Sequence, residues 1–391
     1  MLVNDKEQRI KEKIQEITKI STDINKNVCT DLIKDYRVYK IKKILLLSSS
    51  FDYFLLEEEG RLNALFKEWC AFSEDTNPPT IRHVETGKEL IDSCNKENFD
   101  IIIIFNKPQD KNIKEISKEI KKKSDVPIVL LYNDINELSK IVEKKDVKID
   151  KAFTWNGDGK MILSIVQFFE DKKNLESLSD IDYKSCIFLI EDSIQHYSTY
   201  LALIHEEICN YLSSVINNEL NCEQKTLRYK RRPFILHTDE YEDSLNTYEK
   251  YKNNLLFILT DNYLEKDGKS DQIAVEIVKK VSNEKPDLPV LVQSSEPLDK
   301  KDLKGEKIKF ISKTSHTLIA SIKNFIRKNL GPKKLIFKDT EGKEVHKVRK
   351  MSDLKKAIST VDKKSLLTCA KNKDISDWLK SIGEIEIADR C

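Results

Sequence analysis

The chain is poor in the residues that make loops. Nine glycines and nine prolines in 391 residues argue against long flexible linkers and against glycine-rich phosphate loops. No apolar stretch reaches the roughly 18–20 residues that span a bilayer, and the opening string MLVNDKEQRIKEKIQEI is charged throughout, unlike a secretory signal. The eight cysteines (Cys29, Cys70, Cys94, Cys186, Cys209, Cys222, Cys369 and Cys391) include no C-x-x-C pair. A chain of this length does not need disulfide staples, so they read as reduced thiols of a cytoplasmic protein without a zinc site. Neither sign of charge dominates: 68 basic against 66 acidic side chains give a net +2, which leaves no global field for nucleic acid.

What the chain does have is a long series of short apolar runs. An amphipathic helix is predicted over residues 5 to about 38, where Ile10, Ile14, Ile17, Ile20 and Ile24 recur at helical spacing. It suits packing on the next domain or pairing with a second copy in a homodimer. Runs at Lys43–Ser49, Thr80–Val84, Asp100–Phe105, Val126–Tyr132 and Lys151–Trp155 then read as buried parallel strands. Helical segments separate them, including one predicted over Asp52–Phe72.

The pattern repeats at Cys186–Ile190, Phe234–Thr238, Leu255–Thr260, Pro289–Gln293 and Ile308–Ile311. Strands alternating with helices, twice over, predict an α/β protein with two doubly wound five-strand parallel sheets. In the second copy, Ser193–Arg232 reads as one extended first helix, and the basic run Arg228-Tyr-Lys-Arg-Arg232 as its solvated end. The tail predicts a hairpin of Lys334–Phe337 with Glu344–Val348, then helices Asp353–Thr360, capped by Ser352, and Asp374–Ser381. The expected domains are 1–39, 40–176, 180–330 and a small α+β segment over 331–391.

In a doubly wound sheet, ligands bind beyond the carboxyl ends of the strands. In the second copy those ends carry Glu191-Asp192 after the first strand, Asp261 after the third, Ser294-Ser295 after the fourth and Lys313 close after the fifth. Three clustered carboxylates repel one another, and a hard divalent cation such as Mg²⁺ relieves the repulsion. A carboxylate beside the metal can attack an in-line phosphoryl donor. The ammonium and hydroxyl would then bind the phosphoryl oxygens.

This set resembles the receiver domain of two-component response regulators. The resemblance implies a flavodoxin-like fold, Mg²⁺ held by Glu191, Asp192, Asp261 and the backbone carbonyl of Tyr263, and Asp261 as phosphoacceptor. It further implies Ser294 as the switch hydroxyl, Lys313 as the phosphate-binding lysine and Phe310 as the switching aromatic. Thr314 and Glu265 stand where the family usually has proline, and the first helix is longer than usual. The first copy resembles the same domain with its site erased: Ser48-Ser49 replace the acids, Phe105 the acceptor, Tyr132 the hydroxyl and Trp155 the lysine.

Longer strings are similar to the tandem-receiver region that precedes pyruvate, phosphate dikinase or phosphoenolpyruvate synthase-type modules in bacterial proteins. They are Ile44-Leu-Leu-Leu-Ser-Ser, Phe54-Leu-Leu-Glu-Glu-Glu-Gly60-Arg-Leu, Trp155-Asn-Gly-Asp158, Leu189-Ile-Glu-Asp-Ser-Ile, Tyr197-Ser-Thr-Tyr200, Gln293-Ser-Ser295, Phe337-Lys-Asp-Thr-Glu-Gly-Lys-Glu344 and Trp378-Leu. The likeness covers most of 40–391 and implies a sensor histidine kinase or small phosphodonor upstream. Downstream it implies a protein partner of the phosphoenolpyruvate/pyruvate phosphotransferase kind. The ATP-binding and phosphohistidine modules have no counterpart in these residues, so the chain is expected to be no enzyme itself. It would be either a stand-alone regulator or the regulatory part of a longer one.

Other classes fit less well. A haloacid dehalogenase-type phosphatase would need a second Asp where Tyr263 stands. No glycine fingerprint follows either first strand, against a nicotinamide or flavin enzyme. No basic recognition helix supports DNA binding. His196 reads as a surface or packing residue, and His83, His205, His237, His316 and His346 make no metal-ligand spacing. The alternative is a phosphorylation-independent adaptor or oligomerisation scaffold.

Overall fold

The computed structural model describes residues 38–59, 61–70, 77–144, 146–177, 185–216, 232–266, 269–296, 305, 307–330, 335–338, 343–348 and 351–381. The helix expected ahead of residue 38 lies outside them. Tyr36–Lys328 cluster as one compact unit that holds two sheets, and the described part of the tail belongs to another.

The first sheet consists of β1 (Lys43–Leu47), β2 (Thr80–Val84), β3 (Ile101–Phe105), β4 (Ile128–Tyr132) and β5 (Lys151–Thr154). The second begins with β6 (Cys186–Ile190), β7 (Phe234–Thr238) and β8 (Leu255–Asp261). A small antiparallel hairpin, β9 (Leu264–Lys266) and β10 (Lys269–Asp271), follows β8 directly. β11 (Val290–Ser294) and β12 (Ile308–Ser312) complete the second sheet. Both five-stranded sheets are parallel throughout, in the orders β2-β1-β3-β4-β5 and β12-β11-β8-β6-β7. Within each repeat this is the order 2-1-3-4-5, the flavodoxin-like arrangement. The sequence dictates it through burial. β3, β4, β6 and β11 are buried at every residue and must be covered on both faces, whereas β2 alternates as an edge strand does.

Most helices lie where the periodicity puts them. Thr86 caps Gly87–Lys96 in a reciprocal box with Glu89, and Asn112 and Asp134 cap Ile113–Lys121 and Ile135–Val142. The single helix predicted over Asp52–Phe72 is instead broken. Ser50–Phe54 is followed by a π-helical turn, Leu55–Glu59, and a separate helix Leu62–Cys70. Arg61 between them has φ 48°, a left-handed conformation that cannot continue an α-helix.

The two repeats cover each other's exposed sheet edges. Helix Ile194–Ile216, 23 residues long and therefore about 34 Å, starts the second repeat and lies along β5 of the first. There Ser198 Oγ accepts from the Thr154 N–H at 3.1 Å, and the Tyr197 hydroxyl donates to the Ala152 carbonyl. Reciprocally, helix Lys160–Ser177 of the first repeat packs on β7, where the Asp171 carboxylate accepts from the Ile235 N–H at 3.2 Å. Edge groups that would otherwise recruit another strand are thus satisfied internally. Burial of helix Lys160–Ser177 is unbroken from Met161 to Phe169 and resumes at Asp171, Asn174 and Leu175, while Lys172 and Lys173 stay exposed, as suits a helix packed on both repeats.

Arg232, expected at a solvated helix end, is the largest departure from the sequence reading. It is buried, and its two terminal nitrogens pair with both Asp171 oxygens at 3.0 and 2.8 Å. The guanidinium carbon lies 5.2 Å from the Trp69 ring centroid. A charge this deep survives only with such a bidentate partner. Residues 228–231 of the run lie outside the described set.

In the tail, β13 (Leu335–Lys338) and β14 (Glu344–Val348) form an antiparallel hairpin. Three helices cover it: Met351–Thr360, Lys363–Lys371 and Asp374–Ser381. Leu335, Phe337, Val348, Leu354, Leu366 and Trp378 are the core of this unit. The first helix begins at Met351, so Ser352 lies in its first turn rather than capping it. The middle helix, capped by Asp362 through the N–H groups of Lys364 and Ser365, was not anticipated.

Candidate functional site

The second sheet reverses its strand order between β6 and β8, and the chain puts its acids on either side of that point. β6 ends at Ile190, and Glu191-Asp192-Ser193 leads into the long helix. The Glu191 backbone is fixed twice: its N–H donates to Thr238 at 3.1 Å, and its carbonyl accepts from His237 Nε2 at 3.0 Å. Because a carbonyl only accepts, Nε2 carries the proton. Burial holds His237 well below the usual histidine range, with Lys151 adding to the effect.

Asp261 is the last residue of β8. Its Oδ1 accepts from the Asn262 N–H at 2.7 Å and its Oδ2 from Lys313 Nζ at 2.7 Å. Lys313 follows β12, where its own N–H donates to the Ser294 carbonyl at 2.8 Å. Its ammonium also reaches both Glu191 oxygens, at 2.9 and 2.8 Å. The side chains of Glu191 and Lys313 are 0% and 5% exposed, and that of Asp261 14%.

Ligand oxygens of Glu191, Asp192 and Asp261 all lie within 4.8 Å of one another. Among the described residues this is the one such group of three or more metal-competent side chains. At an effective dielectric near 20, like charges at that separation repel by about 3–4 kcal/mol per pair. Lys313 offsets one charge and leaves a formal −2. All the donors are oxygens, which suits a hard divalent cation. Burial first, then the Asp261 charge, raises the pKa of Glu191 up to about 8 even though Lys313 opposes the shift. The same two causes raise Asp192. Burial works against the Lys313 ammonium, but Glu191 and Asp261 outweigh it and raise its pKa.

The other expected residues divide. Ser294 is buried beside Lys313, and its Oγ accepts from the Glu296 N–H at 3.1 Å. Tyr263 is half-buried on the loop into β9, where its hydroxyl accepts from Gln272 Nε2 at 3.0 Å. Phe310 is one residue out of step with the Asp261–Gln293–Ile311 register, so it lies on the opposite sheet face and packs against the apolar core. His196 is nearer the cluster than a surface residue would be, with Nδ1 3.8 Å from Glu191 Oε1.

Among the described residues, the corresponding edge of the first sheet holds no such cluster. Phe105 ends β3 with its ring 5.5 Å from that of Trp155, edge to face. Ser49 and Asn106 hold Asp52 at 2.8 and 3.3 Å, and the Tyr132 hydroxyl is buried without a partner. His83 Nε2 lies 3.0 Å from the Ser48 carbonyl, as His237 does from that of Glu191. Comparing Thr80-Ile-Arg-His-Val84 with Phe234-Ile-Leu-His-Thr238 could have revealed this shared support. Gln293 and Tyr200 were also missed. Both are fully buried with side-chain polar atoms that lack partners, and Gln293 shares a sheet face with Asp261. A lone Gln within Val290-Leu-Val-Gln-Ser294 was the available signal.

No protein-family model matches the chain, and no curated protein matches it. Among solved structures, the chain is similar to the transcription regulator CcpA of Lactococcus lactis at 10% identity and TM-score 0.22, over 74% of this chain and 91% of that one. It is similar to a putative branched-chain amino acid ABC transporter from Silicibacter pomeroyi at 10% identity and TM-score 0.20, over 90% and 83%. Likenesses this slight carry no argument about function. Among the described residues no helix is long and apolar enough to cross a membrane.

Proposed function

We propose that the chain is a two-component-type signal-transduction protein, with an inactive first receiver and a second receiver phosphorylated on Asp261. The observation that carries this is the convergence of Glu191, Asp192, Asp261 and Lys313 at the switch point of the second sheet. In the reaction, an Asp261 carboxylate oxygen forms a bond to the donor's phosphorus. The bond from phosphorus to the leaving group breaks and its electron pair departs with the donor, which leaves an acyl phosphate as a carboxylate anion or a phosphohistidine as an imidazole that takes up a proton. A sensor histidine kinase or a small acyl phosphate would serve as donor. Lys313, already within hydrogen-bond reach of the acceptor, would hold a phosphoryl oxygen, and Ser294 would offer its hydroxyl. When bound, Mg²⁺ held by Glu191, Asp192, Asp261 and the Tyr263 carbonyl would neutralise charge on the phosphoryl group. The phosphorylated state would pass to a protein partner, of which a phosphoenolpyruvate/pyruvate phosphotransferase is the kind favoured by the sequence resemblance. Incubating the full chain with acetyl phosphate and Mg²⁺ tests this: an intact-mass adduct labile to hydroxylamine supports the assignment.

Cation binding has a definite pH dependence under this proposal. The cation needs Glu191 ionised, so protons compete with it. With Glu191 raised up to about 8, Mg²⁺ affinity is expected to climb as pH rises from about 6 and to level off once the carboxyl is ionised. Calorimetric titration across that range measures it, and a flat profile would remove Glu191 from the ligand set.

A phosphorylation-independent scaffold has one observation in its favour. Lys313 already bridges Glu191 and Asp261, so part of the acidic repulsion is relieved without a cation. Failure of the full chain to bind Mg²⁺ at any pH would favour it.

A further inference from the structure

Tyr200 is 1% exposed on the helix that begins just after Asp192, and its hydroxyl is buried with no hydrogen-bond partner. An unpaired buried hydroxyl costs about 1–3 kcal/mol, which a state that pairs it would recover. Its surroundings indicate which. The Tyr200 ring stacks on His196 at 5.8 Å and 16°, and His196 Nδ1 lies 3.8 Å from Glu191 Oε1. Burial, then Glu191, then Asp261 raise the phenol pKa, so the hydroxyl keeps its proton and remains a donor.

The acceptor chemistry supplies a moment at which that donor is needed. Lys313 now divides its ammonium between Glu191 and Asp261. Once Asp261 carries a phosphoryl group, the ammonium is drawn to the new oxygens. Glu191, with a side chain 0% exposed, then keeps any bound cation but loses its ammonium partner, where water cannot replace it. We propose that Tyr200 is a positioning residue of the acceptor site, its hydroxyl donating to Glu191 when Lys313 turns to the phosphoryl group. This rests on the phosphoacceptor role of Asp261 proposed above.

The test is the affinity of the full chain for beryllofluoride in saturating Mg²⁺, compared for wild type, Tyr200→Phe and Tyr248→Phe. Tyr248 is the control. It too is fully buried with an unpartnered hydroxyl, but the charges around it are Glu284, Lys252 and Glu249, not the cluster. Loss of a hydrogen bond to a charged group should weaken Tyr200→Phe about tenfold and leave Tyr248→Phe unchanged. If wild type binds and Tyr200→Phe binds equally well, this proposal is overturned and the phosphoacceptor role stands. Equal weakening in both variants also overturns it, since the effect would then be one of packing. If wild type itself does not bind, the phosphoacceptor role and this proposal fail together.

Discussion

Asp261→Asn is expected to abolish the phosphoryl adduct while leaving the fold in place. The amide has the shape of the carboxylate but not its nucleophilic charge. Its carbonyl oxygen can still accept from the Asn262 N–H, now 2.7 Å from Oδ1. Lys313 keeps Glu191, which it touches at 2.8–2.9 Å, and one of three mutually repelling charges is gone. Unfolding should therefore need as much urea as in wild type, or more, while intact mass shows no adduct after acetyl phosphate. An adduct of wild-type yield would put the phosphate elsewhere. Phe105→Asp makes a useful counterpart. It supplies a carboxylate to the first sheet but no paired acids and no lysine, since Ser48-Ser49 and Trp155 stand in those places, so it should create no second adduct.

The largest loss of stability is expected from Asp171→Ala. The Asp171–Arg232 side chains are 0% and 1% exposed and doubly hydrogen-bonded. Truncation takes the carboxylate from a buried guanidinium and from the Ile235 N–H. Breaking a buried pair in this way costs about 3–5 kcal/mol, a large share of the roughly 5–15 kcal/mol that holds a typical domain. The pair joins helix Lys160–Ser177 of the first repeat to β7 of the second, so both sheets should lose stability together. Replacing both partners by apolar residues, as in Asp171→Leu with Arg232→Met, should cost much less than the single change because no charge is left unpaired. Urea denaturation of the single and double variants measures this. A single-variant loss below about 1 kcal/mol, the range of exposed pairs, would contradict the role given to it.

Most of this architecture was legible because central parallel strands must be apolar along their whole length. Runs such as Ile101–Phe105 and Cys186–Ile190 could go nowhere else. The acid cluster was legible by position, since a doubly wound topology gathers strand ends whatever their distance in sequence. Features that depend on a particular partner were not legible. The burial of Arg232 needs Asp171, 61 positions away, and nothing near residue 232 indicates it. The β9–β10 hairpin is too short and polar to show alternation. The break at Arg61 is a backbone conformation that helical periodicity does not register. Periodicity could place Tyr200 inside, but not show that its hydroxyl is unpaired.

The central claim is that Asp261 is the residue phosphorylated. Borohydride reduces an aspartyl phosphate to homoserine, so the full chain can be treated with acetyl phosphate and Mg²⁺, reduced, and mapped by peptide mass spectrometry. The expected result is homoserine at position 261 and at no position in the first repeat. A chain that binds Mg²⁺ and takes up phosphate, yet is reduced at some other residue and not at 261, would contradict it.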